Sequence, residues 1–126
     1  MQPLTAEWVA KAEADLATAQ RELRARRAPN YDAACFHAQQ CAEKYLKALL
    51  QEESVSFPRT HDLMMLLSLM TSPAPALTVL QADLRLLTAF GVAFRYPGTS
   101  ADRAMARDAV SRCLIVRAAI RQSLGL

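Results

Sequence analysis

Residues 36–50, "FHAQQCAEKYLKALL", set four groups that can bind or move charge along one line. At 100° per residue, His37, Gln40, Lys44 and Lys47 fall within about 80° of one another on a helix. Lys44 and Lys47 would neutralise phosphate, Gln40 would give amide hydrogen bonds, and His37 brings an imidazole, the usual group for proton transfer. Glu43 flanks this stripe four residues before Lys47, the favourable order for a helical ion pair, worth about 0.3–0.5 kcal/mol. By spacing alone, the stripe reads as the solvated or dimer-facing side of an amphipathic helix. A second place is Arg95 and Tyr96, stopped at once by Pro97. Arg can grip phosphate in two-pronged fashion and Tyr can stack on a base. The plainer account is an Arg complementing the C-terminal end of a helix dipole, with Tyr covering the bundle end. A third is "THDL", residues 60–63, where Asp62 suits the positive first turn of a helix and His61 reads as a residue bonding nearby backbone. Arg26 and Arg27 read as solvated helix-end charge.

The elements that must hold these groups are helices. Trp8, Ala12, Leu16, Ala19 and Leu23 recur every three or four residues, predicting a helix over about 5–27 with Thr5 as its cap. Pro29 ends it by biasing Ala28 away from helical geometry. A second helix is expected over about 31–52, capped by Asn30, with Ala34, Ala38, Cys41, Ala42, Tyr45 and Leu49 inward. Thr60 is expected to cap a short helix, and Pro73 and Pro75 break the chain after it. Leu77, Leu80, Leu84, Leu87, Gly91 and Phe94 then predict one helix over about 77–96. Gly91 costs about 1 kcal/mol against Ala in a helix interior, a cost explained if another helix crosses closely there. A last helix, capped by Thr99 or Ser100, reaches about 124 with Ala106, Val110, Cys113, Val116 and Ile120 inward. No strand-like alternation or internal repeat is visible. Four long helices and one short one imply an all-α fold, an antiparallel up-and-down four-helix bundle with one additional short helix.

Composition agrees and excludes several classes. A chain of 126 residues is expected to form one domain, residues 1–126, and is long enough to bury a core without staples. Three glycines and abundant Ala and Leu favour helix. No run of about 18 apolar residues exists and the start lacks a signal-peptide core, so a cytoplasmic protein with no membrane partner is expected. Cys35, Cys41 and Cys113 show no paired spacing, which argues against a disulfide framework or zinc site. No metal or cofactor is expected. The net charge of +3 permits contact with phosphate without establishing it; that would need a basic stripe. Phosphate-loop, GxSxG and HExxH patterns are absent, and Asp102 and Asp108 lie too far round a helix for an obvious metal pair.

In order along the chain stand a Trp8 with "KAEADL" (11–16), "YDAACFHAQQCAEKYLKALL" (31–50), "THDL" (60–63) and "FRYP" (94–97). Together these resemble the HEPN domain family, the higher eukaryotes and prokaryotes nucleotide-binding domain, in its small stand-alone prokaryotic form. The second block is the most specific. The resemblance covers about residues 4–124 and implies a four-helix bundle with an extra short helix. It further implies a homodimer, often beside a minimal nucleotidyltransferase partner chain, and association with nucleotide or RNA. One branch of the family is a metal-independent ribonuclease whose motif is an Arg followed four to six residues later by a His. Here no His follows Arg95, because His37 and His61 are the only two. A toxin branch has Arg and then a Tyr several residues on, whereas Tyr96 directly adjoins Arg95. The expectation is therefore a non-catalytic binding module using His37, Gln40, Lys44, Lys47, Arg95 and Tyr96, supported by Glu43, His61 and Asp62. Two alternatives stay open. One is a ribonuclease or toxin component of a toxin–antitoxin pair, with His37 or His61 as a displaced base. The other is a purely structural dimerisation module.

Overall fold

The computed structural model describes residues 1–70 and 75–126, with Pro75 and Ala76 described by backbone alone. Among the described residues six helices follow in order: α1 (Pro3–Arg24), α2 (Tyr31–Glu52), α3 (Leu63–Ser68), α4 (Pro75–Thr78), α5 (Gln81–Ala93) and α6 (Arg103–Leu124). No strand occurs among the described residues. The long helices α1, α2, α5 and α6 run up and down. Gln2 at the start of α1 meets Glu52 at the end of α2. Gly91 late in α5 lies against Gln39 early in α2. Asp83 early in α5 pairs with Arg112 in α6. The seams expected from spacing are the seams that pack. Ala12, Leu16 and Ala19 of α1, Ala38, Cys41 and Tyr45 of α2, and Ala106, Cys113, Val116 and Ile120 of α6 are all buried. Helix α2 packs against α1, α5, α6 and α3, so it is the centre of the bundle.

The helix ends follow local chemistry, with corrections. Asn30 caps α2 as expected, its side-chain oxygen accepting from Ala33 N–H at 2.9 Å. Thr5 does not cap α1. Pro3 opens that helix, where a missing N–H is harmless, and buried Thr5 instead donates to Glu52 Oε1 at 2.9 Å. Asp62, not Thr60, caps α3, accepting from Met64 and Met65 N–H. Asp102, not Thr99 or Ser100, caps α6, accepting from Met105 N–H at 2.8 Å. A carboxylate is an equal or better cap than a hydroxyl and carries charge suited to the helix N-terminus. Helix α1 stops at Arg24, three residues before the expected end, and Ala28 adopts a left-handed φ of 44° ahead of Pro29. The expected helix over 77–96 is two helices, with a turn from Leu77 to Leu80 between them. Its seam survives, because Leu80 keeps right-handed geometry and Leu77, Leu80, Leu84 and Leu87 remain buried. The expected break at Pro73 lies outside the described residues, while Pro75 opens α4. No helix among the described residues is long and apolar enough to cross a membrane.

Candidate functional site

The stripe on α2 divides into two internally satisfied clusters. In the first, Asp15 from α1 reaches between two α2 side chains. Its Oδ1 lies 2.7 Å from His37 Nδ1, and its Oδ2 accepts from Lys44 Nζ. In the second, Glu43 is 3% exposed and accepts from Lys47 Nζ at 3.0 Å, His61 Nδ1 at 2.8 Å and Gln39 Nε2 at 3.2 Å. Lys47 is also buried; its ammonium stands 5.6 Å from the Trp8 ring centroid and 6.0 Å from that of Phe57. Such an aromatic enclosure attracts a cation by the ring quadrupoles and replaces part of its hydration. Gln40 Nε2 donates to Gln39 Oε1 at 2.8 Å. Gln39 in turn donates to the His61 carbonyl, closing a network from α2 to the segment before α3. The stripe is therefore largely covered: α1 and the segment after α2 pack onto the side that spacing alone left to solvent. His61 stays mostly outside with its Nδ1 on Glu43, and Asp62 is engaged as the α3 cap.

Gln39 and Asp15 hold these clusters together, and neither stood out by type and spacing. The signal for Gln39 was indirect. A Cβ added to Gly91 would fall 2.7 Å from Gln39 Cγ, so the glycine of the α5 seam marks where α5 crosses α2 over this side chain.

Arg95 and Tyr96 sit elsewhere, at the end of the bundle where α5 stops. Arg95 Nε donates to the Gly91 carbonyl at 2.9 Å, and its guanidinium carbon lies 5.5 Å from the Phe36 ring centroid. Its terminal nitrogens have no protein partner among the described residues. A cleft of about 290 Å³ opens beside it, between the start of α2 and the end of α5. The half-buried rings of Phe36, Phe90 and Phe94 line it, the last two stacked with centroids 6.0 Å apart. Asn30 and Asp32 form its polar edge. Tyr96 is 74% exposed just beyond. Spacing places Phe94 in the core seam and singles out neither Phe36 nor Phe90, yet all three rings stay half-buried at the cleft. Phe36 also meets the His37 ring edge-on at 5.2 Å, so the Asp15–His37 pair and Arg95 both adjoin one ring.

Elsewhere, Glu13 receives Arg117 through both oxygens, and Arg121 joins it to the Tyr45 hydroxyl. The Arg117 hydrogen bonds hold the Glu13 carboxyl below its ordinary range, against the opposing effect of burial. Burial pushes the Cys35 thiol up to about 11. All three cysteines are free and buried, as expected of small apolar residues. No group of three metal-ligating side chains occurs among the described residues.

The site is thus an all-α bundle built round a polar, ion-paired central helix, with an aromatic and arginine cleft at one end. The HEPN domain family model matches residues 5–123, and the chain belongs to that family. TT1696 from Thermus thermophilus has the same fold, with a TM-score of 0.82 over 96% of this chain and 98% of its own, at 24% identity. ST0689, an archaeal HEPN homologue, gives a TM-score of 0.69 over 98% of both chains at 23% identity. No curated protein matches the chain.

Proposed function

We propose that this HEPN chain is a non-catalytic module that binds a nucleotide or an RNA base at the Arg95 cleft. The observation that carries the reading is Arg95 itself. Its Nε is fixed by Gly91, its guanidinium stands near Phe36, and its terminal nitrogens remain open beside three aromatic rings. Base stacking on such rings is worth about 1–3 kcal/mol per base, and a guanidinium is shaped for two-pronged phosphate contact. The candidates divide accordingly. Arg95 and Tyr96 face the ligand, while Lys44 and Lys47, held by Asp15 and Glu43, support the fold. Calorimetric titration with adenosine monophosphate tests this. Arg95→Ala should lower affinity at least tenfold, and Lys44→Ala less than threefold, both variants remaining folded. Equal affinity in Arg95→Ala and the unaltered chain rejects the cleft.

Family membership supports a homodimer working with a nucleotidyltransferase partner chain, and three free buried thiols suit a reducing, cytoplasmic setting. Co-purification with the product of a neighbouring nucleotidyltransferase reading frame checks the partner. One observation favours a second reading, the displaced-base ribonuclease: Asp15 holds His37 at Nδ1, and the ring of Phe36 contacts both His37 and Arg95. Metal-free incubation with transfer RNA decides it. Cleavage lost in both His37→Ala and Arg95→Ala would establish that reading over the non-catalytic one.

A further inference from the structure

The turn from α1 to α2 and the start of α6 enclose a second cleft, of about 720 Å³. Four arginines line it: Arg24 and Arg26 from the end of α1 and the turn beyond it, and Arg103 and Arg107 one turn apart on α6. All four are exposed. Among the described residues none of them takes part in an ion pair, whereas Arg112, Arg117 and Arg121 further along α6 are all paired. Four guanidinium groups round one concavity, none of them held by a carboxylate, leave their donors open to an anion.

The nearby carboxylates lower the local charge but make no ion pair with the rim among the described residues. Glu22 Oε2 accepts the Asn30 N–H at 2.8 Å, Asp32 Oδ1 accepts the Ala101 N–H at 2.6 Å, and Asp102 caps α6. Each is engaged by backbone amides. The arginine rim is also continuous with the Arg95 cleft. A shallow depression lined by Pro29, Tyr31, Asn30 and Asp32 shares its first two residues with the rim and its last two with the aromatic cleft. The three concavities therefore form one band round this end of the bundle: arginines first, the α1–α2 turn in the middle, aromatic rings and Arg95 last.

We propose that this band is the path of a single-stranded nucleic acid, with the Arg24, Arg26, Arg103 and Arg107 rim holding its phosphates and the Arg95 cleft taking a base. A charged groove leading to stacking rings is the arrangement that single strands require, since their backbone is a regular polyanion and every base has a face to stack. An acidic protein segment fits less well, because its carboxylates offer no flat face to the rings at the far end of the band. The proposal rests on the nucleotide reading of the Arg95 cleft but is tested separately from it.

Fluorescence anisotropy with a ten-nucleotide oligoadenylate RNA is measured beside calorimetry with adenosine monophosphate. The Arg103→Gln, Arg107→Gln double variant should bind the mononucleotide within twofold of the unaltered chain and lose at least tenfold in affinity for the oligonucleotide. Its dependence of log K on log salt should flatten by about 1.4, two lost phosphate contacts at about 0.7 each. A circular dichroism spectrum identical to that of the unaltered chain shows that folding is retained. An unaltered chain that binds the oligonucleotide no more tightly than the mononucleotide overturns the path. So does a double variant with undiminished oligonucleotide affinity, or a deca-glutamate peptide binding as tightly as the RNA. If Arg95→Ala leaves mononucleotide binding intact while the double variant still loses oligonucleotide affinity and salt dependence, the base site is wrong and the phosphate rim stands.

Discussion

The middle of α2 and the α1–α2 end of the bundle are both rich in cations, and they treat them in opposite ways. In the middle, Lys44 and Lys47 are each held by a carboxylate, and Glu43 lies almost out of solvent with three donors on it. At the end, Arg24, Arg26, Arg103 and Arg107 are exposed without counter-ions. A charge taken from water must be paired, because an isolated buried ion costs several kcal/mol. A charge left in water need not be, so its lack of a partner costs little stability and leaves it open to a ligand. The contrast separates cations that hold the fold from cations available to bind.

The largest effect that would test this division comes from Glu43. Replacing it with Ala strands Lys47 between Trp8 and Phe57 and removes the acceptor for Gln39 and His61, so urea denaturation should show a loss of about 3–5 kcal/mol. A loss below about 1 kcal/mol would mean that the network behaves as a surface ion pair and does not support the fold. Next comes Gly91, which joins the two regions: it packs on Gln39 of the network and its carbonyl fixes Arg95. Gly91→Ala gains helix propensity yet forces a Cβ onto a hydrogen-bonded, buried side chain, and the expected net loss is about 1–3 kcal/mol. Combining it with Gln39→Ala in a double-mutant cycle should reveal coupling of at least about 0.5 kcal/mol, whereas strict additivity would place the crossing elsewhere.

A smaller, pH-dependent effect belongs to Glu13. Its folded carboxyl titrates below the ordinary value near 4.5, chiefly through Arg117. The interaction is thus complete above that ordinary value and is lost as pH falls through the lower, folded one. Stability of the unaltered chain should decline over that acid window, and Glu13→Gln should flatten the decline; identical pH profiles would refute the linkage. The smallest effect is expected at the rim. Arg103→Gln with Arg107→Gln should change stability by no more than about 0.5 kcal/mol, the range of ordinary surface substitutions. A thermal scan showing marked destabilisation would return these arginines to the fold-holding group and erase the contrast.

The α2 stripe shows how far residue types and spacing reach. They place His37, Gln40, Lys44 and Lys47 on one side correctly, and the order of Glu43 and Lys47 does make an ion pair. They do not show that the side is covered, because helical periodicity describes a face relative to one neighbour. Helix α2 has neighbours all round, and Asp15, Trp8 and Phe57 arrive from other segments of the chain. The aromatic cleft was hidden for the opposite reason. Phe94 looks like core at its spacing, and only the end of α5 at Ala93 leaves it and Phe90 half open.

By itself the sequence determined the helical seams, the Asn30 cap and the close crossing at Gly91. Burial period, cap chemistry and a missing side chain are local properties that any packing must respect. It also carried the family blocks that the HEPN match bears out. Tertiary structure alone decided which charges meet. Arg26 reads from its neighbours as a solvated helix end, and spacing singles out neither Arg103 nor Arg107. Antiparallel packing brings those two ends to one cleft, since an up-and-down bundle places the end of its first helix beside the start of its last. Charge interactions act through space, so what a cation does was settled only when the bundle closed.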